Sequence, residues 1–164
     1  DEENYTQVIY IKTACLFEAS GHAAAILANS DEKERLAMIE YGKQLGIAFQ
    51  LIDDALDYSA SSEILGKNLG DDLAEGKPTL PIIYAIKNSS QTEKNIIQKA
   101  IKNGDLTKLS IIQEIIKSTG AIKYTVMRAQ QAADRAIKAS SMLPESSYKE
   151  ALISIANFAV QRQS

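Results

Sequence analysis

The sequence has little of what builds disulfide frameworks, transition-metal centres or membrane anchors. Its 164 residues include one cysteine, one histidine, no tryptophan and only three prolines. A lone Cys15 forms neither a disulfide framework nor a thiolate metal cluster. The uncharged run over residues 19–30 is too short to cross a bilayer. The acidic first residues do not resemble a targeting signal, so we expect a soluble, cytoplasmic protein.

The charges are mixed along the chain and argue against a nucleic-acid partner. Eighteen basic and 21 acidic side chains give a formal charge of -3, and no block of basic residues is present. Residues that favour helices dominate, and the 45% of apolar residues is enough to bury a core. We therefore predict one all-α domain over residues 1–164.

Apolar residues at helical spacing predict an antiparallel bundle of about six to seven helices. Thr92 is predicted to cap the fourth helix, and Gly104 to end that helix as a left-handed residue. Gly120 is predicted to end the next helix. Gly42 and Gly46 weaken the second helix, so we expect them to serve close helix contact or space for a substrate tail. The predicted helices cover residues 5–29, 32–58, 81–88, 92–103, 106–118, 121–143 and 148–161.

A polar stripe replaces the apolar face expected on the second predicted helix. Gln50, Asp53, Asp54 and Asp57 stand at i, i+3, i+4 and i+7, among neighbours that are almost all apolar. Buried carboxylates repel one another and are costly to desolvate. A divalent cation, several basic side chains or proton uptake would compensate them. A solvated acidic face is the remaining alternative.

Magnesium explains this stripe best. It accepts one or two carboxylates and takes its other oxygens from water or phosphate. Zinc is disfavoured because Cys15 and His22 both lie in the first predicted helix, far along the chain from the carboxylates. The sequence therefore predicts a magnesium site on the second helix.

Lysines, aspartates and glycines follow the stripe in LGKNLGDDLAEGKPTLP, residues 65–81. Lys67 and Lys77 provide ammonium groups for phosphoryl oxygens, and glycines let the backbone approach a ligand. Asp71 and Asp72 add carboxylates. The connection from residue 59 to residue 78 shows no helical period and is long enough to be a functional loop. It lacks the spacing of a phosphate-binding P-loop, so by itself it is equally typical of a flexible surface loop.

Several motifs together resemble the trans-isoprenyl (polyprenyl) diphosphate synthases. FQLIDDALDY at residues 49–58 and GKNLGDDLAEGKPTLP at 66–81 resemble the second aspartate-rich motif and the downstream lysine loop of that family. VIYIKTACLFEAS at 8–20 is similar to its Lys-Thr helix, and ALISIANFAVQR at 151–162 to the end of its bacterial long-chain members. The resemblance implies the C-terminal half of the isoprenoid synthase fold.

That resemblance also implies an activity. The family adds isopentenyl diphosphate head-to-tail to an allylic diphosphate such as farnesyl diphosphate, using Mg²⁺, and the long-chain product serves as a quinone side chain. It further implies a homodimer. The implied metal ligands are Asp53, Asp54, Asp57 and Asp72, the implied diphosphate-binding residues are Lys12, Lys67 and Lys77, and Thr13 and Gln50 are expected to face the developing cation.

Two other functions fit the same motifs. One is a half-site like that of a terpene cyclase, although the all-aspartate motif favours chain elongation. The other is a non-catalytic helical partner subunit that retains the motif. The first aspartate-rich motif of the family is absent from this sequence, so we expect a C-terminal fragment that is inactive alone. We also expect it to self-associate through uncovered apolar faces.

Overall fold

The chain divides into two compact units in the computed structural model, which describes residues 1–59 and 70–162. The first unit contains Asp1–Tyr5 and Asp53–Met127, and the second contains Thr6–Ile52 and Arg128–Arg162. All regular structure in the described ranges is helical, which confirms the all-α prediction. The α-helices are α1 (Glu2–Ile9), α2 (Cys15–Leu27), α3 (Glu32–Leu56), α4 (Asp71–Ala74), α5 (Leu80–Asn88), α6 (Gln91–Asn103), α7 (Leu109–Thr119), α8 (Ala121–Ser140) and α9 (Ser147–Gln161).

The first predicted helix contains one widened turn. A π-helical turn over Tyr10–Ala14 joins α1 to α2 without a break. It carries Lys12 and Thr13, two of the residues assigned to the active site by resemblance. Such turns hydrogen-bond over one more residue than an α-helix and are often found at functional sites. The apolar period does not reveal one wide turn, so the sequence predicted an uninterrupted helix.

Two glycines of α3 allow close packing within the second unit. A Cβ atom on Gly42 would lie 2.3 Å from the carbonyl oxygen of Phe17. A Cβ atom on Gly46 would lie 2.6 Å from the Cα of Ala14, at the end of the π-helical turn. Both distances are far below ordinary van der Waals contact. Of the two uses expected for these glycines, the structure shows the close helix contact.

Each unit has its own apolar core. In the second unit, Tyr41 is 4% exposed and its hydroxyl donates a hydrogen bond to the carbonyl oxygen of Leu152 at 2.8 Å. Around it cluster Leu45, Ala136, Ala156 and Ala159. Large aliphatic side chains dominate the core cluster of the first unit. Its central side chains are Leu73, Ile82, Ile97, Ile112, Ile115 and Ile116.

The cap predicted for α6 was placed two residues too late. Ser90 accepts the backbone amide of Glu93, and the Glu93 carboxylate accepts the amide of Ser90 at 2.8 Å. This reciprocal pair is a capping box, so Thr92 lies inside the first turn rather than before it. The left-handed end predicted at Gly104 is confirmed, since Gly104 ends α6 with φ 60°. Gly120 ends α7 as predicted and is also left-handed, with φ 72°.

The connection after α3 was predicted as a loop, but its described part contains α4. Gly70 precedes this helix in the left-handed conformation, with φ 82°. Leu73 is fully buried in the core of the first unit, and its burial stabilises α4. A helix of four residues is too short to produce a recognisable apolar period in the sequence. No helix within residues 1–59 and 70–162 has the length and apolar character needed to cross a bilayer.

Candidate functional site

The acidic stripe lies at the carboxyl end of α3 and just beyond it. Asp53 and Asp54 belong to the last turn of α3, which ends at Leu56, and Asp57 follows in a turn. Asp54 is 2% exposed, while Asp53 and Asp57 are partly buried. The carboxyl end of a helix carries partial negative charge. The stripe therefore needs hydrogen-bond donors or a cation to offset both the helix end and the carboxylates.

Tyr5 provides one such donor to the most buried aspartate. Its phenolic hydroxyl donates a hydrogen bond to Oδ2 of Asp54 at 2.5 Å, a length typical of bonds to charged oxygen. Burial, and then the charge of Asp54, raise the pKa of Tyr5 far above its ordinary value. The phenol therefore stays protonated and remains a donor at neutral pH.

Asp57 holds the start of α4. Its Oδ2 accepts the backbone amide of Asp72 at 3.1 Å, and its carbonyl oxygen accepts the amide of Gly70 at 3.1 Å. Burial, followed by the nearby Asp72 carboxylate, raises the pKa of Asp57 to about 6, against the lowering effect of the Asp72 backbone amide. A cation near Asp57 and Asp72 would relieve this concentration of negative charge.

Lys77 follows α4 in the same unit as the aspartates. Its amide donates to the carbonyl oxygen of Asp72 at 2.8 Å, after a turn in which Gly76 has φ 69°. The Lys77 ammonium group forms an ion pair with Glu75, and its side chain is 46% exposed. Exposed pairs of this kind are weak, so the lysine can exchange Glu75 for a phosphate oxygen. Lys67 lies outside the described residues.

The second unit brings together two more of the predicted residues. The hydroxyl of Thr13 donates to Oε1 of Gln50 at 2.6 Å. Gln50 is 4% exposed, and Thr13 is partly buried in the π-helical turn. The neighbouring Lys12 is exposed. This hydrogen bond fixes the Gln50 amide relative to the widened turn.

The aspartates have the donor chemistry of a magnesium site without a complete cage. Within the described ranges, no group of three or more histidine, cysteine, aspartate or glutamate side chains is arranged to hold a metal ion. Magnesium commonly uses only one or two carboxylates and completes its shell with water and phosphate oxygens. The carboxylate oxygens therefore fit this cation. The assignment of Asp53, Asp54, Asp57 and Asp72 as ligands stays a prediction.

Sequence comparison identifies the family. The polyprenyl synthetase family model matches residues 1–119. The chain belongs to the polyprenyl synthetase family. It is 47% identical over 162 residues to the octaprenyl diphosphate synthases of Haemophilus influenzae and Escherichia coli, covering 98% of this chain and 49% and 50% of those relatives. This polyprenyl synthetase chain thus spans about half the length of the curated relatives it matches.

Solved structures of the same family share the fold. A polyprenyl synthase from Caulobacter crescentus, crystallised with calcium and isoprenyl diphosphate, superposes with a TM-score of 0.93 and 40% identity. The match covers 100% of this chain and 51% of that one. A decaprenyl diphosphate synthase from Rhodobacter capsulatus gives a TM-score of 0.91 and 35% identity, covering 99% of this chain and 50% of that one. These matches identify the polyprenyl synthetase fold over the chain.

Tyr5 is the residue of this region that sequence reasoning missed. It is 49 residues from Asp54 and belongs to no motif quoted above. Its place at the start of a helix gives no period or spacing that would link it to a later carboxylate. Only the tertiary contact within the first unit reveals the pair.

Proposed function

We propose that this chain is the C-terminal part of a trans-polyprenyl diphosphate synthase. The whole enzyme would add isopentenyl diphosphate units head-to-tail to an allylic diphosphate such as farnesyl diphosphate, and its long-chain product would serve as a quinone side chain. The proposal is carried by the acidic region at the end of α3. Asp54 bonds to Tyr5, and Asp57, just beyond the helix, accepts an amide from α4 in the same unit. The 47% identity to octaprenyl diphosphate synthases supports the same reaction.

In this reaction the allylic substrate loses diphosphate, the double bond of isopentenyl diphosphate attacks the resulting cation, and loss of a proton restores an allylic product. Mg²⁺, when bound, supplies positive charge to the departing diphosphate. Calcium in the Caulobacter crescentus structure supports a divalent cation. In this chain the proposed metal ligands are Asp53, Asp54, Asp57 and Asp72.

The remaining residues have distinct proposed roles. Lys12, Lys67 and Lys77 bind phosphoryl oxygens as mobile point charges. Thr13 and Gln50 turn polar oxygens toward the developing cation, and their hydrogen bond at 2.6 Å preorganises those dipoles. The homodimeric state and cytoplasmic location of the whole enzyme are part of the proposal and rest on the family resemblance.

Calorimetric titration of the 164-residue chain with inorganic diphosphate tests the site. We expect binding that requires Mg²⁺ and is lost in Asp53→Ala, because the substitution removes a carboxylate at the carboxyl end of α3. Asp134→Ala is the control, since Asp134 is an exposed carboxylate on α8. We expect this variant to bind like the wild type.

The same titration separates the proposed site from the non-catalytic alternative. A retained but inert motif predicts no magnesium-dependent binding, and that result would contradict the proposal. Equal losses in Asp53→Ala and Asp134→Ala would also contradict it, because general charge would then explain binding. A turnover assay with farnesyl and isopentenyl diphosphates is expected to show no elongation by this chain alone.

A further inference from the structure

We propose that Tyr5 is a positioning residue of the metal site, which acts by fixing the orientation of the Asp54 carboxylate. The inference rests on the proposed function, because it assigns Tyr5 to the metal site proposed there. It adds a residue of the first helix to a cluster otherwise formed by α3 and the segment that follows it. Two features of the first unit support this role: the bond to Asp54 and the anchoring of the first turn of α1.

The Tyr5 hydroxyl fixes the orientation of the Asp54 carboxylate. An aspartate carboxyl group rotates in a broad, nearly two-fold energy well, so its backbone position does not fix where its oxygens point. The bond from the Tyr5 hydroxyl to Oδ2 of Asp54, at 2.5 Å, selects one orientation. Asp54 is 2% exposed and Tyr5 is 7% exposed. Water therefore competes poorly for this bond.

The helix that carries Tyr5 is itself held in place by contacts of its first turn. One turn before Tyr5, the Glu2 carboxylate accepts a hydrogen bond from the Tyr124 hydroxyl of α8 at 2.8 Å. Tyr124 in turn stacks on Tyr84 of α5, with ring centroids 4.1 Å apart. Residues three apart lie on the same side of an α-helix. Two contacts on one side therefore anchor the first turn of α1 and keep the Tyr5 ring in place.

Tyr5→Phe is the decisive substitution, because it removes the hydroxyl and leaves the ring. We expect calorimetric titration with inorganic diphosphate and Mg²⁺ to show binding weakened about 10-fold to 100-fold, the usual effect of losing a group that orients a metal ligand. Tyr41→Phe is the matched control. Tyr41 is equally buried, and its hydroxyl also makes one hydrogen bond, at 2.8 Å to Leu152, so we expect unchanged binding.

A double-mutant cycle tests whether Tyr5 acts through Asp54. In the Asp54→Asn background, Tyr5→Phe is expected to have little further effect on diphosphate binding, because the oriented carboxylate is already gone. Additive losses in the two variants would overturn the proposal. Thermal unfolding without metal is measured for Tyr5→Phe and Tyr41→Phe, and a loss of binding that follows the unfolding midpoint in both variants would overturn it as well.

The titration distinguishes failure of this inference from failure of the proposed function. If the wild type binds and Asp53→Ala does not, wild-type affinity in Tyr5→Phe overturns the positioning role alone. If the wild type shows no magnesium-dependent binding, the proposed function fails and the role of Tyr5 fails with it.

Discussion

Gly46→Ala tests the close packing between α3 and the π-helical turn. An added Cβ at Gly46 would lie 2.6 Å from the Cα of Ala14 and 3.1 Å from the Cβ of Phe17. Ordinary carbon contacts begin near ~3.5 Å, so the two segments must separate by about 1 Å. The nearest obstacle is a backbone atom, which no side-chain rotation can move aside.

The expected cost combines opposing contributions. Alanine is favoured over glycine inside a helix by about 1 kcal/mol, whereas an extra carbon in a packed interior costs about 1–3 kcal/mol. Movement of the turn also strains the hydrogen bond from Thr13 to Gln50, of length 2.6 Å, whose net contribution is about 1 kcal/mol. We expect a net loss of about 2 kcal/mol in the free energy of unfolding. For a chain of this size that lowers Tm by about 4–8 °C.

Thermal unfolding followed by circular dichroism measures this effect. Ala23→Gly is the control for intrinsic helix preference, because Ala23 is exposed on α2 and should lose about 1 kcal/mol from that preference alone. The packing argument would be refuted if the Gly46→Ala protein were more stable than the wild type by about 1 kcal/mol, the gain that helix preference alone predicts. Helix preference would then decide the outcome.

Two further predictions concern the acidic region and a helix cap. Because the pKa of folded Asp57 is raised to about 6, it keeps its proton to higher pH than in the unfolded chain, so metal-free stability should fall as pH rises from about 4 to about 6. Chemical unfolding should show this slope relative to Asp57→Asn, and equal slopes in the two proteins would contradict it. Ser90→Ala should cost about 1 kcal/mol in thermal unfolding. Thr92→Ala should change stability by less than about 0.5 kcal/mol, and the reverse order would argue against the capping box.

Local signals in the sequence predicted most helices. The second predicted helix, residues 32–58, corresponds to α3, Glu32–Leu56. Gly104 and Gly120 were correctly placed at helix ends because the signal that glycine gives there is local. The capping box of α6 is also visible in the sequence, since Glu93 follows Ser90 by three residues. The prediction nevertheless assigned the N-cap to Thr92. A cap must therefore be paired with its third following residue before it is assigned.

The acidic region shows where sequence reasoning stops. The spacing of Asp53, Asp54 and Asp57 identified the stripe, but their different surroundings depend on tertiary structure. Asp54 bonds to Tyr5, whereas Asp57 accepts an amide from α4. Neither partner can be read from a helical period, because α4 is short and Tyr5 is distant along the chain.

The Tyr5–Asp54 bond affects how this region assembles during folding. It joins residues 49 positions apart, so formation of α3 alone does not orient the Asp54 carboxylate. A peptide covering residues 32–58 contains all three aspartates of the stripe but lacks the hydroxyl that holds one of them. Affinity for the proposed cation would therefore require docking of the N-terminal helix, so cation binding during refolding would report a tertiary contact.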